Sequence, residues 1–172
     1  AKSSAASTSA MRSARSSRAV AAIRPSAPWS NRSAACNWWS ECAAIIPAIL
    51  DAGHTFDLID DGTLKAAQPR RYRLVVLPRV KHMPDATRRW LAEYTSGGGK
   101  VFDAGNGTDL QGRIAAALPA DVGLDPPGTA IGFVHRRLRD ADVYFLANTS
   151  NVPRTVRARF SDRTEYVELW DP

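Results

Sequence analysis

The sequence predicts an α/β protein in which a doubly wound, mostly parallel sheet is followed by a block of antiparallel strands. Within the predicted strand 73–78, residues 74–77 form a continuous apolar run, as in a parallel strand covered on both faces. A strand–helix–strand pattern over 73–104 requires a right-handed crossover and therefore a parallel sheet. Beyond the Pro/Gly-rich turn at 125–128 the helical period disappears. We therefore predict an α/β domain over 36–124 and antiparallel strands over 125–172.

The elements of the first block follow from the spacing of apolar residues and from helix end signals. Residues 39–52 carry apolar side chains at spacings of three and four, and Gly53 ends the predicted helix. Pro47 predicts a kink that could divide this helix into two short pieces. Thr108 and Gln111 have the spacing of a capping box at the start of the last helix. The other predicted elements are strands at 54–59, 73–78 and 100–104 and helices at 84–94 and 108–118.

The second block lacks the helical period, and residues 155–160 within it alternate apolar and charged side chains. Trp170 is predicted in a strand core, whereas Trp90 is predicted in the core beneath a helix. Four strands that end near Trp170 predict the first half of a β-sandwich whose second sheet is missing. The predicted strands are a hairpin of 130–138 and 143–148 and two further strands at 155–160 and 166–170.

Residues 1–35 differ from the rest of the chain in charge and composition. They contain six basic residues, no acidic residue, eleven alanines and ten serines, so the net charge of +6 lies entirely in this flank. Such a stretch buries too little apolar area to offset the entropy of ordering, and we expect it to be disordered. A transit peptide and a nucleic-acid arm are open interpretations. We favour an unselected leader or sequence read out of its natural frame.

Several classes of protein are disfavoured by composition. No apolar run approaches the ~18 residues of a membrane helix, so no membrane partner is predicted. The charge outside the flank is balanced, so the folded part is not predicted to bind nucleic acid. Cys36 and Cys42 are too few for a disulfide scaffold or a four-ligand zinc site. Neither cysteine lies in a strand-to-helix turn that would activate a nucleophile.

Three polar residues are candidates for substrate binding because of their positions. Asp103 ends a predicted parallel strand, Asn106 lies in the following Gly-Asn-Gly turn, and Asp60 ends another strand. Open α/β sheets bind ligands at the carboxyl edge of their strands. An ordinary βα turn also requires such a sequence, so a purely structural role stays open.

Other chemistry finds little support in the residues. The histidines, His54, His82 and His135, are scattered one per region, so each is predicted at a strand end or on the surface. The turn at 105–107 lacks the third glycine of a dinucleotide-binding loop. The sequence therefore predicts no catalytic residue, no metal site and no cofactor.

The order of several segments is similar to that of known enzymes. Residues 49–61, 72–78 and 91–101 resemble the flavodoxin-like domain that follows the catalytic barrel in several large glycoside hydrolases. Residues 135–150 and 168–172 resemble the start of the β-sandwich in α-L-rhamnosidase-type glycoside hydrolases. The resemblance covers residues 38–172.

This resemblance implies that the chain is a C-terminal accessory fragment of an enzyme that degrades carbohydrate. Hydrolysis of a glycosidic bond needs two carboxylates that flank the bond, and in that family the pair belongs to an upstream barrel that this chain lacks. The missing barrel is thus the implied partner, and no catalytic residue is carried over.

Two other functions stay open. The first is a stand-alone carbohydrate-binding or protein-interaction module, which would expose Trp38, Trp39 or the edge at Asp103. The second is a small α/β hydrolase or amidotransferase-like enzyme, which would need a nucleophile elbow that we do not find.

Overall fold

The structure, a computed structural model, contains one parallel sheet with helices, followed by antiparallel strand pairs. It describes residues 20–23, 38–64, 67–79, 83–105, 109–128, 130–162 and 166–170. The parallel sheet has the order β2-β1-β3-β4. Its strands are β1 (Val20–Ile23), β2 (Phe56–Ile59), β3 (Leu74–Leu77) and β4 (Lys100–Asp103). The helices are α1 (Trp38–Asp51), α2 (Asp61–Leu64), α3 (Asp85–Ser96) and α4 (Leu110–Ala117).

The antiparallel part consists of two strand pairs. β5 (Val122–Asp125) pairs with β8 (Arg157–Phe160), and β6 (Ile131–Arg137) pairs with β7 (Asp142–Asn148). The predicted fold class, a parallel α/β sheet followed by antiparallel strands, is confirmed. β5 was not predicted. It spans the predicted boundary at 124/125 and pairs with β8 beyond it. The boundary itself stays a prediction.

Helices cover both faces of the parallel sheet. On one face, Val20 and Ala22 of β1 lie in a core with residues of α1 and α4, among them Ile49 and Ile114. On the other face, Ala21 and Ile23 pack with residues of α3. Because side chains alternate along a strand, Val20 and Ala22 contribute to one core, and Ala21 and Ile23 contribute to the other. The doubly wound arrangement therefore depends on β1.

The position of β1 corrects the prediction of a disordered flank over 1–35. Val20–Ile23 is fully paired, with β2 on one side and β3 on the other, and every side chain in it is buried. The prediction is wrong at these four positions because the overall composition of the flank, which is rich in Ala, Ser and Arg, conceals this short apolar segment. A short apolar run is sufficient for a strand when neighbours on both sides complete its hydrogen bonds. The rest of the flank, 1–19 and 24–35, lies outside the described residues.

The start of α4 and the continuity of α1 differ from their predictions. Asp109 caps α4, since its Oδ1 accepts a hydrogen bond from the Gly112 amide at 2.8 Å. The predicted partner Gln111 instead donates its side-chain amide to the Asp51 carbonyl at 3.3 Å, which joins α4 to α1. Thr108 lies outside the described residues. α1 is one continuous helix despite Pro47.

The fourth predicted strand of the antiparallel part is absent from the structure. Residues 166–170 have no regular secondary structure and pair with no described strand. Tyr166, Val167, Leu169 and Trp170 are 79–95% exposed. Trp170 is therefore not in a strand core, whereas the core prediction for Trp90 is confirmed. Apolar and aromatic residues of this kind are typical of a strand, but a strand forms only where a partner completes its hydrogen bonds.

The described helices do not have the character of membrane spans. None of them combines the length and the apolar composition that crossing a bilayer would take.

Candidate functional site

The predicted substrate-binding residues make local turn contacts. Asp60 Oδ1 accepts hydrogen bonds from the amide and hydroxyl of Thr63, both at 2.9 Å, and so caps α2. Asp103 Oδ1 accepts one from the Gly105 amide at 2.7 Å. Such contacts match the structural role considered for these turns.

The structure does not bring these residues together. Asp60 follows β2 and Asp103 ends β4, which are the two outer strands of the sheet. Three strand spacings separate them by about 14 Å. Asn106 lies outside the described residues. A substrate-binding role for the three residues stays a prediction.

A second group of polar residues, not predicted from the sequence, converges in the antiparallel part. We call it the histidine–carboxylate cluster. It contains two buried histidines, three carboxylates, one guanidinium and one phenol. Its members are His54, Asp121, His135, Arg137, Asp142, Tyr144 and Asp162.

Backbone contacts bring the cluster together from four parts of the chain. The Gly53 carbonyl accepts hydrogen bonds from the amides of Asp121 and Val122 at 2.9 and 3.2 Å, which fixes the start of β5 beside His54. The Ser161 amide donates to the Asp121 carbonyl at 2.9 Å, and this contact brings in the segment after β8. In the β6–β7 hairpin, His135 is paired with Tyr144, and Arg137 with Asp142. Paired residues share a face, so all four side chains project to one side.

His135 lies at the centre of the cluster. Its Nε2 lies 2.8 Å from Asp142 Oδ1 and 3.7 Å from Asp162 Oδ2. Its Nδ1 faces Asp121 Oδ2 at 4.0 Å, and His54 Nδ1 lies 3.9 Å from the same oxygen. His54 and His135 are only 1% and 2% exposed. The His135 ring therefore lies between carboxylates that come from three different segments.

Arg137 and Tyr144 hold the other oxygens of the cluster. Arg137 donates from Nε to Asp142 Oδ1 at 3.0 Å and from Nη2 to Asp162 Oδ1 at 3.2 Å. The Tyr144 hydroxyl donates to Asp162 Oδ2. The Tyr144 ring stacks on His135 with centroids 4.1 Å apart and contacts Phe160 at 4.6 Å. The Tyr144 ring therefore contacts both His135 and Phe160.

The electrostatics follow from these contacts. Burial raises the pKa of Asp121, but the interactions with His135 and His54 outweigh it and lower that pKa to about 2. Burial lowers the pKa of His135, but Asp121 and Asp142 outweigh it and raise the pKa above its ordinary value. Burial, with the hydrogen bond to Asp162, raises the pKa of Tyr144 to about 12. The carboxylates and the imidazolium therefore stabilise one another in their charged forms.

The donor set could also suit a cation. Ligand atoms of His135, Asp142 and Asp162 lie within 4.8 Å of one another. However, the Arg137 guanidinium already donates to both carboxylates and supplies the positive charge that a metal ion would bring. The geometry fits an ion-pair network better than a metal site.

The cluster corrects the interpretation of the histidines. The prediction of a strand end or the surface is wrong for His135, which is buried inside β6. His54 is also buried, so the surface is excluded for it, but it does lie shortly before the start of β2. The cluster residues come from four separate parts of the chain, so a search for local motifs could not find them. The hairpin was predicted, but with a turn at 139–142, whereas the observed register pairs His135 with Tyr144 and Arg137 with Asp142. His82 and Cys36 lie outside the described residues, as do the side chains of Trp38, Trp39 and Cys42.

The part of the chain that contains the cluster is similar to a known protein family. Residues 103–172 match the family profile described as alpha-L-rhamnosidase. The chain is related to glycoside hydrolases. The resemblance predicted from the sequence is thereby confirmed, and the matched range contains every residue of the cluster except His54.

Two glycosidases are similar to this glycoside hydrolase-related chain. A putative beta-glucuronidase of Formosa agariphila is 28% identical over 118 residues, which cover 66% of this chain and 10% of the relative. The crystal structure of beta-galactosidase from Bifidobacterium adolescentis is similar with a TM-score of 0.41 and 29% identity, over 50% of this chain and 39% of that one. The chain therefore spans about one tenth of the curated relative that it matches.

Proposed function

We propose that this chain is a non-catalytic accessory segment of a larger glycoside hydrolase of the α-L-rhamnosidase type. Its partner is the catalytic barrel of that enzyme. In this proposal the parallel sheet with its helices is the flavodoxin-like domain that follows the barrel, and the antiparallel strands are the start of a β-sandwich.

The proposal is carried by the distribution of exposed apolar side chains. Nine of the eleven large ones among the described residues lie within 134–170, so exposure is concentrated in the part that matches the family. Val134 and Phe145 are cross-strand partners on the hairpin face opposite His135, and Val143 shares that face. Concentrated apolar exposure is typical of surfaces that another part of a protein covers. A larger enzyme would supply that cover.

The carboxylates of the cluster support a non-catalytic role. An acid–base pair must have access to a bond that enters between the two groups. Here Asp142 and Asp162 are hydrogen-bonded to Arg137, His135 and Tyr144, and Asp121 lies between two buried histidines. Their interactions are directed within the fold, so we assign them a structural role.

The proposal predicts that the chain alone does not hydrolyse glycosides. The purified 172-residue chain, incubated with an aryl α-L-rhamnoside, is expected to release phenol at the rate of a blank without protein, because it lacks the catalytic pair. An intact α-L-rhamnosidase assayed in parallel is the positive control. Saturable turnover that remains with the chain through purification would contradict the proposal.

A carbohydrate-binding module is the second candidate, favoured by one observation. Tyr166 and Trp170 are 85% and 79% exposed, and aromatic faces of this kind can stack on sugar rings. This candidate predicts saturable binding of a rhamnose-containing oligosaccharide in calorimetry, weakened about tenfold or more in Trp170→Ala and retained in Trp170→Tyr. Val152→Ala, at another exposed apolar position, is the matched control. The accessory proposal predicts no saturable binding by any of these chains.

A further inference from the structure

We propose that His135 is a pH-sensitive clamp, in which the protonated imidazolium holds together the start of β5, the hairpin and the segment after β8. Raising the pH removes the charge and loosens these contacts. The inference rests on the geometry of the cluster and is independent of the proposed function.

The first support is the placement of the two ring nitrogens. Nε2 faces Asp142 at 2.8 Å and Nδ1 faces Asp121 at 4.0 Å. A neutral imidazole has a single N–H and can donate to one of these carboxylates, whereas an imidazolium has two. At 4.0 Å the contact of Nδ1 with Asp121 is an electrostatic attraction and not a hydrogen bond, and it is strongest when the ring carries the imidazolium charge.

The second support is the charge of the surroundings. The groups that face the ring are Asp121 from the start of β5, Asp142 and Tyr144 from β7, and Asp162 from the segment after β8. Arg137 from β6 is the guanidinium that pairs with Asp142 and Asp162. Three carboxylates and one guanidinium leave two net negative charges around a ring that is 2% exposed. A buried excess of negative charge favours the imidazolium.

His54 faces the same network from the α1–β2 corner. Its Nδ1 lies 3.9 Å from Asp121 Oδ2, and neither ring nitrogen has a hydrogen-bond partner among the described residues. His135 and His54 thus face the same carboxylate oxygen from two different segments. The experiment must therefore distinguish the two.

The direction of the pH dependence follows from the shifts. The pKa of His135 is raised above 6.5, so its contribution to stability is complete below about pH 6.5 and is lost as the pH rises through the folded-state value. The pKa of Asp121 is lowered to about 2, so its contribution is present above about pH 4 and is lost as the pH falls towards 2. The clamp is therefore closed between about pH 4 and the raised pKa of His135.

The test combines urea unfolding with NMR titration of the full 172-residue chain. We expect the folding equilibrium constant to fall between about pH 6 and pH 9, because His135 loses its proton in this interval and its pKa is higher in the folded state. His135→Phe, which keeps a ring against Tyr144, is expected to lose this dependence, and His54→Gln to retain it. In imidazole NMR spectra, His135 is expected to titrate above 6.5.

Three results would overturn the clamp. One is a titration of His135 at or below its ordinary pKa of about 6.5, measured on the unaltered chain and thus independent of whether the variants fold. Another is a pH dependence that persists in both His135→Phe and His54→Gln, which would mean that neither histidine causes it. The third is a dependence that persists in His135→Phe but is lost in His54→Gln, which would assign it to His54.

Discussion

Replacing Ala22 by glutamate is expected to unfold the α/β layer. Ala22 lies in the central strand β1, is 2% exposed, and packs in the core with α1 and α4. A carboxylate there would be buried without a cationic partner, and the penalty for such a charge is several kcal/mol. The larger side chain would also overpack the core by about 1–3 kcal/mol. The free energy of unfolding of a small domain is only about 5–15 kcal/mol, so the expected result is loss of the cooperative thermal transition in circular dichroism.

Leu58→Glu is the matched control. Leu58 is paired with Ala22 in the register of β1 and β2, but it lies on an outer strand and is 46% exposed. The same glutamate there remains hydrated, and we expect a change in the free energy of unfolding within about 1 kcal/mol. If Ala22→Glu unfolded at the same temperature as Leu58→Glu, β1 would not lie in the centre of the sheet.

Gly53→Ala has the second largest expected effect. Gly53 ends α1 with φ +82°, a conformation that costs an L-residue about 1–2 kcal/mol. A Cβ would also overlap the Val122 carbonyl oxygen and lie 2.7 Å from Ala120 Cβ. Because the obstacle is backbone at the start of β5, relief requires movement of the strand that follows Asp121. We expect a loss of about 2–5 kcal/mol in the free energy of unfolding, measured by urea denaturation.

Gly98→Ala separates backbone strain from this contact. Gly98 has a similar φ, +87°, and no atom lies within 4 Å of the position that an alanine Cβ would occupy. We expect the free energy of unfolding of this variant to fall only by the conformational cost of about 1–2 kcal/mol. An equal decrease in the free energy of unfolding in the two variants would mean that the close contact of Gly53 with β5 does not contribute to the effect of Gly53→Ala. Faster amide exchange at Asp121 and Val122 in Gly53→Ala alone would locate the disturbance at the start of β5.

The elements that were predictable are those whose signals are local. β3 is a continuous apolar run, α3 has an apolar stripe ended by glycines, and β6 and β7 are joined by a four-residue turn. Each pattern is contained within a few consecutive residues, so no contact from elsewhere in the chain is needed to recognise it.

The elements that were mispredicted depend on distant partners. Val20–Ile23 is a strand because β2 and β3, more than thirty residues further along the chain, pair with both of its edges. Residues 166–170 show that the converse also holds. They have the apolar and aromatic residues of a strand but no described strand to pair with, and their apolar side chains face solvent. Pattern alone cannot distinguish these cases, because backbone hydrogen bonds between strands are completed by other segments.

The sequence by itself determined the fold class, the hairpin and the relationship to glycoside hydrolases, because these depend on periodicity and on the order of segments. Only the tertiary structure decided which strand is central and which polar groups meet. The cluster residues His54, Asp121, His135 and Asp162 come from separate segments, yet folding places polar atoms of neighbouring members 3.7–4.0 Å apart. These neighbours, which no local pattern identifies, outweigh burial and lower the pKa of Asp121 and raise that of His135.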